Sequence, residues 1–299
     1  LQKDRSGRRS MRVFITSGTG YVGKAVAEEL KREGHEVVAM GRSAESRRKL
    51  EEAGIHPVEG NLREPRKVGA LAAQAEATIH TAQDKEGDTG RIDEEAVRAI
   101  LEALEGSRKA FVYTSGCWVY GDTGDARITE DSILSPLPMV AWRPPVEVLV
   151  RSWAGRGVNT VVLRPGVVYG GEGGLVGMLR RWALEKEAVP LVRNGEQRWS
   201  FVHRRDMGDC YLKALEAPPG SLYNVTAGTS PTLAEVGRAV SLSVGGSGRV
   251  EDWPMEDARA TLGPLADALA LDQPHLVSDR AQEELGWTPR QPPILAHLM

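Results

Sequence analysis

The chain has 299 residues, 41% hydrophobic and 26% charged, with a formal net charge of −3. That length allows one large domain or two closely joined ones with ample core, and the acidic balance gives no reason to expect nucleic acid as a partner. No apolar run approaches the roughly eighteen residues of a membrane span and no signal-peptide pattern is present, so no membrane partner is expected. Cys117 and Cys210 are the only cysteines and stand in no metal-ligand spacing, which reads as a reduced, cytoplasmic protein without a metal site.

The leader over residues 1–10, with Lys3, Arg5, Arg8 and Arg9, reads as a disordered tail or an expression remnant ahead of Met11. From there strand-like and helix-like stretches alternate, the pattern of an α/β fold. The β-branched run from Met11 to Ser17 ends in Gly18-Thr-Gly20-Tyr-Val-Gly23, and a helix-like segment, Lys24 to Arg32, follows at once. In that strand–turn–helix setting a G-x-G-x-x-G pattern marks a dinucleotide site. Gly18 permits the tight turn, Gly20 lets the backbone approach a pyrophosphate, and Gly23 lets helix and strand pack closely. The helix N-terminus, with Tyr21 and Val22 beside it, then faces the negative charge.

Glu36 to Met40 is a short strand ending at Gly41-Arg42-Ser43, and His56 to Glu59 is a weaker one closing on Gly60-Asn61-Leu62. Ala77 to Ala82 is next, and Ala110 to Ser115 has the composition of a buried strand. Asp93 to Leu104 carries Ala96, Val97, Ile100, Leu101 and Leu104 on one helical face. Val158 to Arg164 supplies another strand, stopped by Pro165-Gly166.

Beyond Gly170 the pattern changes. Gly170 to Gly174 reads as a flexible joint, Leu175 to Lys186 as a helix, Trp199 to His203 as a short strand, and Arg205 to Leu215 as a helix. Later segments are shorter and richer in Gly, Pro and Trp. The expected organisation is a nucleotide-binding core over 11–170 and a smaller, discontinuous C-terminal substrate lobe over 171–299. About 204–220 would return to the core, with a cleft between the two.

Further motifs stand in a telling order. They are Phe111-Val-Tyr-Thr-Ser-Gly-Cys-Trp-Val-Tyr-Gly121, Thr129-Glu-Asp131 with Pro136, Leu163-Arg-Pro-Gly-Val-Val-Tyr-Gly170, Phe201-Val-His-Arg-Arg-Asp206 and Leu285-Gly-Trp-Thr-Pro289. Together with the glycine loop they resemble the extended short-chain dehydrogenase/reductases, the group of epimerases, dehydratases and many ketone or aldehyde reductases. The resemblance runs from Met11 to about Pro289. It implies a Rossmann doubly wound parallel sheet, a nicotinamide cofactor, a small carbonyl or sugar-type substrate, and a homodimer through core helices. It also implies cofactor contacts at Thr81 and Ala82, and at Pro165 and Val168 of the loop that borders the nicotinamide.

Charge argues the cofactor choice. A carboxylate just after the second strand would hold the ribose hydroxyls of NAD and repel a 2′-phosphate. Here Arg42 can pair bidentately with a phosphate and Ser43 can add a hydroxyl bond, so NADP is expected over NAD. The alternative is that Arg42 is a solvated surface charge. Asn61-Leu62 stands where the resemblance places Asp-Leu beside the adenine, and an amide can still bond an adenine edge.

The family's proton transfer needs a Ser or Thr, a Tyr, and a Lys four residues after the Tyr. Thr114 and Ser115 are present, but the usual hydroxyl position is Gly116. Anchoring on the acidic Glu147 puts Met139 at the Tyr position and Arg143 at the Lys position, and no Tyr lies between Tyr120 and Tyr169. Pro144-Pro145 also start the local helix near Arg143 or Pro144, later than a Tyr-x-x-x-Lys helix requires. Candidate replacements are Tyr120 and Tyr169, which otherwise serve as packing anchors, and Ser115, which otherwise bonds only to backbone. Arg143 can grip a carboxylate or phosphate of substrate or cofactor, or stand exposed at the helix start. Cys117 has no clear activating partner, and Trp118 and Trp142 can wall a planar ligand or sit in the core. His203 with Asp206 is expected to be structural. The functional expectation is an NADPH-dependent oxidoreductase or epimerase/dehydratase-like enzyme with a non-standard proton donor. The alternative is a non-redox NADP-binding sensor or scaffold.

Overall fold

The computed structural model describes residues 10–299, so the tail expected over 1–10 lies, all but its last residue, outside the described residues. β1 (Arg12–Ile15) leads into α1 (Tyr21–Arg32), β2 (Glu36–Gly41) into α2 (Ala44–Glu52), and β3 (His56–Glu59) into α3 (Pro65–Ala73). β4 (Ala77–His80) leads into α4 (Thr89–Leu104), and β5 (Ala110–Thr114) is followed, after turns, by α5 (Arg143–Ser152). Next come β6 (Asn159–Pro165), β7 (Val167–Tyr169), α6 (Gly174–Lys186), β8 (Val189–Leu191), β9 (Phe201–His203), α7 (Arg204–Ala214) and β10 (Ser221–Val225). The chain continues through α8 (Leu233–Ser243), β11 (Val250–Asp252), α9 (Met255–Leu262), α10 (Leu265–Leu269), α11 (Asp279–Leu285) and α12 (Ile294–Leu298).

Seven strands form one sheet in the order β10-β6-β5-β4-β1-β2-β3. The neighbours from β3 through β2, β1, β4 and β5 to β6 all pair in parallel. This is the doubly wound Rossmann arrangement. Its strand order reverses between β1 and β4, the place where such sheets bind ligands at their carboxyl ends. The central strands are largely apolar because helices cover both faces: Phe14, Ile15, Ile79, Phe111, Val112 and Val162 are essentially inaccessible, whereas the edge strand β3 is partly exposed.

The buried face of α4 carries one charged residue, Asp93. Its carboxylate takes the Tyr113 hydroxyl at 2.9 Å and lies 2.9 Å from His80 Nε2, while the His80 and Tyr113 rings stack at 5.8 Å. The helix is thereby locked onto β4 and β5 by a buried polar network.

The chain divides into two compact units. One takes the chain up to Ser115 together with Pro145–Leu163 and Gly208–Tyr223, and the other takes Gly116–Pro144, Arg164–Met207 and Asn224–Met299. In the second, Asp206 fastens the C-terminal segment. Its carboxylate accepts the backbone N–H groups of Arg290 and Gln291 at 3.0 Å each, and its carbonyl accepts Trp287 Nε1 at 2.8 Å. The buried His203 ring meets Tyr169 and His297 edge-on at 5.1 and 5.0 Å, and its Nδ1 accepts the Arg205 N–H. Burial, aided by His297 and the neighbouring arginines, pushes its pKa down to about 4. Among the described residues no helix is long and apolar enough to cross a membrane.

Candidate functional site

A cavity of about 630 Å³ opens where β1, β2, β3 and β4 end, lined by residues of the loops that follow each strand. One threonine sets its floor. Thr16 Oγ1 accepts the N–H groups of both Thr81 and Ala82 at 3.0 Å, and Thr81 Oγ1 donates to the Ser17 carbonyl at 3.0 Å. The ends of β1 and β4 are thus clamped by side chains where their ladder stops.

The N-terminus of α1 opens beside that floor. Gly20 is its N-cap in extended backbone, no side chain caps the helix, and its first turn carries no acid. The end is electropositive and has only backbone to offer. A Cβ at Gly20 would meet only Ser17 Oγ, at 3.2 Å, so the space above the backbone is clear. A Cβ at Gly23 would stand 1.6 Å from the Ser17 carbonyl oxygen, which is the close helix–strand contact expected of that glycine. Gly18 requires a correction. Its φ is not in the left-handed region, and it does not line the cavity. What demands glycine there is room, because a Cβ would stand 2.7 Å from both Ala39 Cβ and Leu50 Cδ2.

Past β2 the cavity wall is Arg42, Ser43 and Ser46. Ser43 caps α2, its Oγ accepting the Ser46 N–H at 3.1 Å while Ser46 Oγ accepts the Ser43 N–H at 3.0 Å. The Arg42 guanidinium is exposed and lies 3.5 Å from the Glu86 carboxylate. Past β3, Asn61 and the buried Leu62 line the wall, and Asn61 Oδ1 accepts the Arg63 N–H at 3.1 Å.

The loop after β4 supplies Gln83, Asp84, Lys85 and Glu86 to the same cavity. Its anchor is a bidentate pair, Arg63 Nε to Asp84 Oδ2 at 2.8 Å and Nη2 to Oδ1 at 3.0 Å. Asp84 is buried, and the Arg63 bonds hold its carboxyl below the usual range. Its Oδ1 also accepts the Glu86 N–H at 2.8 Å, Thr89 Oγ1 donates to its carbonyl, and Arg63 Nη2 reaches the Glu86 carbonyl.

Of the residues expected at the cofactor, Gly20, Tyr21, Val22, Gly23, Arg42, Ser43, Asn61, Leu62, Thr81 and Ala82 come together here. Arg143, Pro165 and Val168 do not line this cavity. Pro165 ends β6 in a buried position, and Val168 is half-buried in β7, paired with Val202.

The proton-donor candidates differ sharply in what their polar atoms do. The Ser115 N–H donates to the Leu163 carbonyl at 2.8 Å, but its hydroxyl, in a residue 5% exposed, has no hydrogen-bond partner among the described residues. The Tyr120 hydroxyl donates to Asn224 Oδ1 at 2.7 Å and accepts from Arg164 Nη1 at 2.8 Å. Burial pushes this phenol up to about 12. The Tyr169 hydroxyl donates to the Pro292 carbonyl at 2.6 Å, and burial raises its pKa as well. Met139 lies in the single 3-10 turn Pro138–Val140, and Arg143 is the first residue of α5, so the two do not share a helix. Trp142 Nε1 donates to the Met139 carbonyl at 3.2 Å, and the Arg143 guanidinium lies over the Trp142 ring at 4.7 Å. Cys117 is buried, and its thiol is pushed up to about 12.

Residues 13–226 match the model of the NAD dependent epimerase/dehydratase family. The chain belongs to that family. An uncharacterized protein of Schizosaccharomyces pombe is 31% identical to it, over 96% of this chain and 98% of the relative. A Stigmatella aurantiaca 4-hydroxy-2-methyl-3-oxo-4-farnesyl-3,4-dihydroquinoline-1-oxide ketoreductase is 27% identical over 94% and 92%. The structure of Thermus thermophilus UDP-glucose 4-epimerase in complex with NAD superposes with a TM-score of 0.80 at 21% identity, covering 96% of this chain and 99% of that one.

Within this epimerase/dehydratase-family fold, sequence reasoning missed Thr16, Ser46 and the loop from Gln83 to Glu86. Thr16 adjoins the glycine loop and the serine pair Ser43-x-x-Ser46 is a capping signal, so both were within reach. The loop after β4 has no such mark, because Arg63 supplies its anchor from elsewhere in the chain.

Proposed function

We propose that the chain binds NADP(H) in the cavity at the end of β1, β2, β3 and β4 and acts as an oxidoreductase on a small carbonyl or sugar-type substrate. In this reading Ser115, rather than a tyrosine, meets the substrate oxygen. The observation that carries the reading is the uncapped start of α1 opening beside a wall that holds Arg42 and Ser43 where a carboxylate would select NAD.

The residues fit the group. The open space over Gly20 and the backbone end of α1 suit a diphosphate, and the Asn61 amide NH2 is the end left for an adenine edge. Arg42, beside the capped start of α2, would hold a 2′-phosphate. Bound there, the nicotinamide supplies or takes the hydride.

Support for Ser115 comes from its unpartnered buried hydroxyl, a costly arrangement that a substrate oxygen would relieve. We assign Tyr120 and Tyr169 to structure, since each hydroxyl already donates to a partner, Asn224 Oδ1 for the first and the Pro292 carbonyl for the second. The Stigmatella aurantiaca relative, a ketoreductase by name, favours a carbonyl substrate. Calorimetric titration tests the cofactor: NADPH should bind at least about tenfold more tightly than NADH, and Arg42→Ala should remove most of that difference. Equal affinities would reject the NADP assignment. A broad aldehyde, ketone and nucleotide-sugar screen with no turnover would reject the redox role.

That last outcome would favour a second reading, a non-redox NADP(H)-binding sensor or scaffold. Its support is the pair Met139 and Arg143, neither of which moves a proton near neutral pH. It predicts tight NADPH binding without turnover.

A further inference from the structure

We infer that Glu86 is a specificity-determining residue of the cofactor site, a built-in carboxylate that competes with the 2′-phosphate for Arg42. The inference rests on the NADP(H) reading above and deepens it.

Glu86 and Arg42 come from different loops, after β4 and after β2, and both line the cavity with their charged groups 3.5 Å apart. Most surface ion pairs join two mobile side chains and carry little meaning. Here the backbone under Glu86 is fixed. Its N–H is held by Asp84 Oδ1 and its carbonyl by Arg63 Nη2, while Asp84 itself is buried under two Arg63 bonds. The loop therefore fixes the Glu86 backbone at the cavity, from which its exposed side chain reaches Arg42.

Asp84 also lies within reach of the Arg42 charge, but its oxygens are taken by Arg63 and the Glu86 amide. Glu86 is the carboxylate that can compete. A 2′-phosphate must displace it from Arg42 and then sit beside its negative charge. NADH, which has only hydroxyls there, meets no such opposition. Glu86 thus narrows the advantage for NADP(H) that Arg42 creates.

The experiment is calorimetric titration of NADPH and NADH, at low and at raised ionic strength, into the full chain and into Glu86→Gln, Arg42→Ala and the double variant. Glu86→Gln should bind NADPH about 3- to 10-fold more tightly with NADH unchanged. The gain should shrink as salt screens the charges, and it should vanish in the Arg42→Ala background. If the chain binds both cofactors but Glu86→Gln leaves their ratio unchanged, this inference fails and the NADP(H) reading stands. Weakened binding of NADH by Glu86→Gln would also overturn it, showing a carboxylate that holds ribose hydroxyls. If neither cofactor binds any variant, the NADP(H) reading falls and takes this inference with it. Thermal melting of each variant without cofactor checks that the loop still folds.

Discussion

Gly23 lies so close to Ser17 that a Cβ on it would stand 1.6 Å from the Ser17 carbonyl oxygen. Gly23 is held in the first turn of α1, and the Ser17 carbonyl is pinned by the Thr81 hydroxyl. Gly23→Ala should therefore destabilise the chain by about 2–3 kcal/mol or more, as overpacking against backbone does, and lower the melting temperature measurably. Gly20→Ala makes the useful contrast. Its Cβ meets only a serine hydroxyl, so the melting temperature should hold while NADPH affinity falls about tenfold. Calorimetry on both variants separates a packing glycine from a binding one.

The three hydroxyls considered as proton donors should respond in opposite ways. Tyr120→Phe strips Asn224 Oδ1 and Arg164 Nη1 of a partner and should cost about 1–3 kcal/mol of stability with little effect on turnover. Tyr169→Phe, losing one bond to a carbonyl, should cost about 1 kcal/mol. Ser115→Ala removes a hydroxyl with no partner, so stability should be unchanged or slightly raised while turnover drops about 100-fold. Urea unfolding and steady-state kinetics on the same preparations check all three, and full activity in Ser115→Ala would reassign the donor.

His203 makes a specific claim about acid. Its folded pKa of about 4 lies below the ordinary histidine value of 6.5. Above pH 6.5 the ring is neutral folded or unfolded and contributes no pH dependence. Between 6.5 and 4 the unfolded chain binds a proton the folded chain refuses, so stability falls as the pH falls, by up to about 3 kcal/mol. Below pH 4 the difference levels off. His203→Gln should show a shallower decline over that window in urea midpoints measured from pH 4 to 7.5. Parallel curves for the two proteins would count against the shifted pKa.

Asp206 should matter to folding through the C-terminal segment it holds. Asp206→Ala would leave the Arg290 and Gln291 amides without their acceptor and should cost about 2–4 kcal/mol. Limited proteolysis should then release the segment after Leu285 first, with the seven-stranded sheet surviving.

Legibility in the sequence followed locality. The parallel strands could be read because burial on both faces makes them continuous apolar runs, as at Ala110 to Thr114. The start of α5 at Arg143 could be read from Pro144-Pro145, since proline is tolerated in the first turn of a helix but not in its interior. The packing demand on Gly18 could not be read, because the neighbours that impose it, Ala39 and Leu50, come from the next strand and helix. Arg63 and Asp84 are 21 residues apart and Tyr120 and Asn224 are 104 apart, each pair joined only by the fold. No periodicity or spacing encodes such meetings.

Thr16 takes the amides of both Thr81 and Ala82, so the floor of the cavity is finished before any ligand arrives. Those two N–H groups should exchange with deuterium slowly in the free protein, while the side chains of Arg42 and Glu86 still await rearrangement. A bound dinucleotide would then order its site from one side only. On the proposed NADP(H) reading, the half that would recognise what nucleotides have in common is prebuilt, and the half that would tell them apart is left adjustable.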